Sequence, residues 1–152
     1  MSRAPFEVLV FLYARTPGAN YEYALLRRAD AGHWQGVAGG GEEGETPLEA
    51  ARREAFEEAG IASDSLFLKL DAVESIRVTE FSDSHLWGDQ VYVIPQYCFG
   101  AEVTDRCLLL SHEHTEYRWL PYDEALSLLA FDGNRTALWE LNQRLKGRGP
   151  RG

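Results

Sequence analysis

The sequence predicts an α/β domain, a mixed β-sheet with helices covering its faces. Three observations carry that prediction. The chain begins with FEVLVFLYA at 6–14, a continuous apolar run rich in β-formers, as in a strand buried on both faces. A helix with well-marked ends follows at about residues 47–59. Further strand-like runs and then two helical stretches close the chain, an order that suits a mixed sheet covered by helices. At 152 residues the chain suits one domain, 1–152, with a substantial core.

Taken in order, RTPGAN at 15–20 is a loop punctuated by Pro17-Gly18. YEYALLRR at 21–28 reads as the hairpin partner of the first strand. ADAGHWQGVAGGGEEGE at 29–45 reads as a long glycine-rich loop, and loops of that length in compact domains are usually functional. For the helix after it, Thr46 is the N-cap, Pro47 suits the first helical position and Thr46-x-x-Glu49 is a capping box. Gly60 fits the left-handed residue just past the end. Residues 66–81 look like one or two strands, 82–90 a loop, and 91–103 a strand interrupted by Pro95. A last short strand is expected at 116–120, with Trp119 packing under the C-terminal helix. Residues 121–131 and 134–146 read as helices, the second with Asn134 as a candidate cap. The tail at 147–152 is expected to fray.

The net charge of −9 argues against a protein that grips polymeric nucleic acid through its phosphates. It is compatible with an anionic small molecule reached through bound metal ions. The apolar run near the start is too short to span a membrane. The flank before it and the absence of an A-x-A-like site argue against a signal peptide. Cys98 and Cys107 have no metal or disulfide spacing, so they read as reduced thiols of a cytoplasmic protein.

The helix at 47–59 carries the chemistry. At 100° per residue, Glu54, Glu57 and Glu58 fall within an arc of roughly 100°, spaced i, i+3, i+4. Ala51, Ala55 and Ala59 form a neighbouring small-residue stripe that suits close packing on a sheet. Converging like charges on a helix need solvent or a cation. Arg53 is expected off the carboxylate face, and the glycine loop leads straight to it. A solvated charged face is the plain alternative. Hard oxygen ligands suit Mg2+ or Mn2+, which bridge carboxylates to substrate phosphates. A P-loop does not fit, since no Gly-Lys-Ser/Thr follows the glycines. The spacing and the preceding strand also exclude a dinucleotide-binding fingerprint. His112 and His114, with no Cys or third His nearby, do not make a zinc site.

Gly39, five residues, Glu45, seven residues, then Arg53-Glu54-Ala55-x-Glu57-Glu58-x-Gly60-Ile61 resembles the full signature of the Nudix hydrolases. Ala55 stands where that family usually has a larger aliphatic residue. LLRRAD at 25–30, HWQGVAGGGEEGET at 33–46, LSHEHTEYRWLPYDEAL at 110–126 and NRTAL at 134–138 resemble the bacterial dATP pyrophosphohydrolase or dihydroneopterin triphosphate pyrophosphatase subgroup. The likeness is weak over 62–100. The resemblance implies a Nudix fold, an α/β/α sandwich with a mixed β-sheet. It also implies metal-dependent cleavage of a nucleoside or pterin triphosphate to the monophosphate and pyrophosphate.

By the same resemblance, Glu54, Glu57 and Glu58 are metal-binding carboxylates, joined by a backbone carbonyl around Ala38 or Gly39. Glu45 and Arg53 match positions that brace the loop and orient the carboxylates. Glu113 matches a carboxylate supplied from a distant loop, as metal ligand or general base, with Glu116 as its rival. Arg27 and Arg28 end a strand, and alternation lets one of them face the substrate. Trp34 is a candidate for stacking on a base or pterin, with Phe81, His85 and Trp87 as weaker ones. A dinucleoside polyphosphate hydrolase is the alternative enzyme. A non-catalytic nucleotide sensor is a third reading, and the intact acidic positions argue against it.

Overall fold

The computed structural model describes residues 2–18 and 20–147. Seven strands form one mixed sheet: β1 (Arg3–Thr16), β2 (Asn20–Arg28), β3 (Trp34–Gln35), β4 (Val37–Glu42), β5 (Phe67–Arg77), β6 (Val93–Glu102) and β7 (His114–Pro121). Helix α1 (Pro47–Ala59) lies between β4 and β5 in the chain, and α2 (Tyr122–Leu128) and α3 (Asp132–Leu145) follow β7.

β1 is the spine. It pairs in parallel with β6 and antiparallel with both β2 and β4. β1 and β2 part company beyond the Leu12–Ala24 pair. The β3–β4 segment fills the gap, bonding β2 at Leu26–Gln35 and β1 at Val10–Val37. β7 adds to the far edge of β2, and β5 to the far edge of β6.

Alternation along β1 builds two cores. Val8, Val10 and Leu12 pack with Ala50, Ala51, Ala55 and Ala59 of α1. Leu9, Phe11 and Tyr13 pack with Ala125, Ala137, Leu138 and Leu141 of α2 and α3. Both faces of β1 are therefore buried, which explains its unbroken apolar run. The alanine stripe lets the α1 backbone come close to the sheet.

The ends of α1 are as expected from sequence. The Glu49 N–H donates to Thr46 Oγ1 at 3.1 Å, and the Thr46 N–H to Glu49 Oε1 at 2.8 Å. Gly60 takes φ 72°, and its N–H closes the last turn.

Several expectations need correction. The stretch at 29–45 is not one loop, because β3 and β4 lie inside it. Gly39 and Gly40 pair with Val8 and Glu7, so tertiary pairing overrides the poor strand propensity of glycine. Of the one or two strands expected at 66–81, one forms, β5, and it ends at Arg77; 3₁₀ turns at Val78–Glu80 and Ser82–Trp87 follow, the second inside the expected loop. Asn134 is not a cap: Phe131 holds that position, and Asn134 is buried inside α3. Trp119 packs on the α1 side of the sheet, its Nε1 donating to the Arg106 carbonyl at 2.8 Å. Of the tail expected to fray at 147–152, residues 148–152 lie outside the described residues. Among those residues, no helix is long and apolar enough to cross a membrane.

Thr46→Ala removes one reciprocal bond of the capping box. Urea unfolding is expected to show a loss of about 1 kcal/mol with an unchanged denaturant slope. An unaltered midpoint would show that packing alone fixes this end of α1.

Candidate active site

α1 buries Glu54 and Glu58 along with its alanine stripe. A carboxylate on a core-facing stripe needs either a partner or an opening. Here both exist. Glu54, Glu57 and Glu58 line a cavity of about 800 Å³, and β4 contributes Ala38 and Gly39 to its wall. Gly39 lets the Glu54 carboxylate sit against the strand: a Cβ there would lie 2.1 Å from the Glu54 carboxyl carbon. Any side chain would displace the carboxylate.

Arg53 ties these parts together. Its Nε donates to Glu45 Oε2 at 2.8 Å, and its Nη2 to the Gly40 carbonyl at 2.7 Å. Its Nη1 donates to Glu54 Oε1 at 2.9 Å and Glu57 Oε1 at 3.2 Å. The expectation that Arg53 lies off the carboxylate face is therefore wrong. Its side chain curls back across the helix surface, which backbone angle alone does not reveal. Glu45 also accepts the Glu42 N–H at 2.8 Å, and the Arg53 guanidinium holds its carboxyl below the usual range.

Two distant segments complete the cavity. The Ala29 N–H donates to the Glu113 carbonyl at 2.9 Å, which brings the 111–114 turn to the end of β2. Glu113 and Arg28 then line the same cavity. Arg28 is gripped by Asp30 through two bonds of 2.8 Å. Arg27 points the other way, to Glu116 at 3.2 Å and to the Gly32 carbonyl at 3.0 Å. Alternation puts Arg27 and Arg28 on opposite faces, and it is Arg28 with Glu113 that lines the cavity, while Arg27 pairs with Glu116 away from it.

Trp34 does not line the cavity. Arg118 lies over its ring at 4.8 Å, and the indole packs against the α2–α3 core. His33 and Phe81 occupy the cavity wall instead. Trp87 donates from Nε1 to the Arg3 carbonyl at 3.0 Å, and His85 is exposed.

Sequence reasoning missed the support under Glu58. Ser111 Oγ donates to Glu58 Oε2, and the buried His114 ring sits 3.4 Å from the same oxygen. Burial, with Arg28 nearby, pulls His114 below its ordinary value, so a neutral ring is favoured. Both residues flank Glu113 in LSHEHTE, which was the available signal. His112, by contrast, is exposed.

Burial raises Glu54 from 4.5 to about 7, against the opposing pull of Arg53. Burial raises Glu58 as well, against its Ser111 bond. Among the described residues, no three His, Cys, Asp or Glu side chains form a ready metal-binding group. The Arg53 guanidinium bridges Glu54 and Glu57. The donor chemistry nonetheless fits a hard divalent cation: Glu54, Glu57, Glu58 and Glu113 offer carboxylate oxygens, and Gly39 keeps the strand backbone against one of them.

A family profile described as the NUDIX domain matches residues 6–140. The dihydroneopterin triphosphate diphosphatase of Escherichia coli K12 is 33% identical over 149 residues, covering 90% of this chain and 91% of the relative. The asymmetrical bis(5'-nucleosyl)-tetraphosphatase of Rattus norvegicus is 30% identical over 135 residues, covering 88% and 87%. Among solved structures, a protein of Listeria monocytogenes assigned to the NUDIX hydrolases superposes with a TM-score of 0.84. It is 44% identical and covers 95% of this chain and 96% of its own.

The raised Glu54 has a consequence for stability without divalent ions. Its contribution is complete below about pH 4.5 and is lost as pH rises through about 7. Thermal melts in EDTA are expected to show Glu54→Gln gaining on the unaltered protein between pH 5 and 8. Parallel melting curves across that window would mean that Glu54 is not held in its acid form by burial.

Proposed function

The chain belongs to the NUDIX domain family, and on that premise we propose a metal-dependent pyrophosphohydrolase acting on a nucleoside or pterin triphosphate. The products are the monophosphate and pyrophosphate. One observation carries the reading: Glu54, Glu57, Glu58 and Glu113 meet Arg28 in one cavity. Carboxylates alone would repel a polyphosphate, and a cationic side chain alone would bind it without hydrolysis.

Mg2+ or Mn2+ would be held by Glu54, Glu57, Glu58 and Glu113, with the Ala38 or Gly39 carbonyl as a further ligand. When bound, such an ion polarises phosphoryl oxygens and makes water more acidic. The remaining work belongs to the chain. Arg28, steadied by Asp30, presents positive charge to the phosphates. Arg53 and Glu45 fix the direction of the α1 carboxylates relative to β4. Glu54 and Glu58, raised by burial, are suited to take up the proton of the attacking water, since a base works best near the operating pH. Glu113 is the third candidate for that task, delivered by the 111–114 turn. We place the activity in the cytoplasm, in keeping with the free thiols of Cys98 and Cys107.

Identity to the rat relative favours one alternative, hydrolysis of a dinucleoside polyphosphate. Product analysis by anion exchange separates the two. Chelator-sensitive release of pyrophosphate and a monophosphate from one triphosphate is the expected outcome. Release of two nucleotides from a diadenosine polyphosphate, with triphosphates untouched, would establish the alternative. Glu57→Gln is expected to lower kcat/KM by about 100-fold or more with unchanged circular dichroism. Near-normal turnover in that variant would remove this helix face from the mechanism.

A further inference from the structure

Glu58 and Glu113 reach the same cavity from distant parts of the chain. A small divalent cation is exacting about the placement of its oxygen ligands. Glu58 is fixed by α1. Glu113 is not fixed in that way, because residues 103–113 belong to no strand or helix.

Backbone bonds supply part of the support. The last carbonyls of a helix have no donors within it. In α1 the Ala59 carbonyl accepts the Leu109 N–H at 3.1 Å, and the Glu58 carbonyl accepts the Ser111 N–H at 3.4 Å. The 109–111 stretch therefore lies along the end of the helix. The Ser111 carbonyl accepts the His114 N–H at 3.4 Å, which turns the chain into β7. There the register slips: Arg27 pairs with Glu116, but Arg28 pairs with His114. A bulge of this kind re-aims the side chains beside it.

None of these bonds needs a side chain at position 111. The Ser111 hydroxyl has a different task. It donates to Glu58 Oε2 and accepts the Glu113 N–H at 3.2 Å. A hydroxyl can both donate and accept, and Ser111 spends the two capacities on two residues of one cavity. It thereby ties the carboxylate of Glu58 to the backbone of Glu113. The His114 ring does not share this task. Its Nδ1 is 3.4 Å from Glu58 Oε2, and neither ring nitrogen has a hydrogen-bond partner.

We propose that Ser111 is a positioning residue of the metal site, its hydroxyl setting the direction of the Glu58 carboxylate and its spacing from Glu113. This rests on the metal-dependent hydrolase reading of the cavity, and metal binding without substrate tests it separately. Mn2+ is titrated into the protein while the electron paramagnetic resonance signal of the free ion is followed. Residues that hold a ligand from behind typically contribute about 10- to 100-fold in metal affinity or activity. Ser111→Ala is accordingly expected to weaken Mn2+ binding about tenfold or more. Ser111→Thr keeps the donor and the acceptor and is expected to stay close to the unaltered protein. Circular dichroism of both variants is expected to match it, since the backbone bonds at 109–114 remain. In hydrolysis, the Mn2+ concentration for half-maximal rate is expected to rise with Ser111→Ala by the same factor as the binding constant. KM for the triphosphate at saturating Mn2+ is expected to change little. Ser111→Cys, with a side chain of similar size and a weak donor, is the second route should the alanine variant misfold, and it too is expected to lose affinity. Unchanged Mn2+ affinity in the folded alanine or cysteine variant would overturn the proposal. Equal losses in the alanine and threonine variants would do so as well, because packing rather than the hydroxyl would then be at work. Triphosphate turnover with Mn2+ affinity untouched by every variant defeats the positioning role and leaves the hydrolase reading intact. Weakened Mn2+ binding in Ser111→Ala, with no triphosphate turned over by the unaltered protein, does the reverse.

Discussion

One guanidinium holds the candidate site in shape. Arg53 donates at once to Glu45 in the loop, to the Gly40 carbonyl on β4, and to Glu54 and Glu57 on α1. Those contacts join three elements that the chain visits within a short span. They also set the distance between the strand backbone and the helix carboxylates, which the bare Gly39 allows to be very small. A planar fork with donors in fixed directions suits this task, and a lysine ammonium would not reach the same set of acceptors.

The same arrangement explains why so much acid is tolerated. Carboxylates on a helix repel each other, and burial penalises their charged form. Arg53 offsets part of this for Glu54 and Glu57, and Ser111 does so for Glu58. What remains appears as raised affinity for protons at Glu54 and Glu58. Carboxylates in that condition would be relieved by a divalent cation.

Charge dominates the cavity beside α1. The adjoining pocket near β6 and α3 mixes the amides of Gln35, Gln96 and Asn134 with Glu74, Arg77 and Glu80. The splaying of β1 from β2 beyond Leu12–Ala24 places both beside the same end of the spine strand. Arg28 and Glu7, which line both, mark the boundary between them.

The local elements were legible where their determinants are local. The capping box of Thr46 and Glu49, Pro47 and Gly60 delimit α1 from sequence alone, and the carboxylate spacing follows from the helix period. The buried strand at the start was legible for the same reason, since burial on both faces leaves an unbroken apolar run. Strands β3 and β4 were not, because their glycine-rich sequence forms a ladder only when β1 and β2 open to receive it. Alternation narrowed Arg27 and Arg28 to one of two, and only the pairing of β2 with β7 decided for Arg28. The position of the Arg53 side chain, the burial of Asn134 and the meeting of Gln35 with Gln96 depend on contacts between residues far apart in the chain. The sequence by itself determined the carboxylates and the helix that carries them. The tertiary structure alone decided what they face, because strand order and packing, unlike caps and helical period, have no short-range signature.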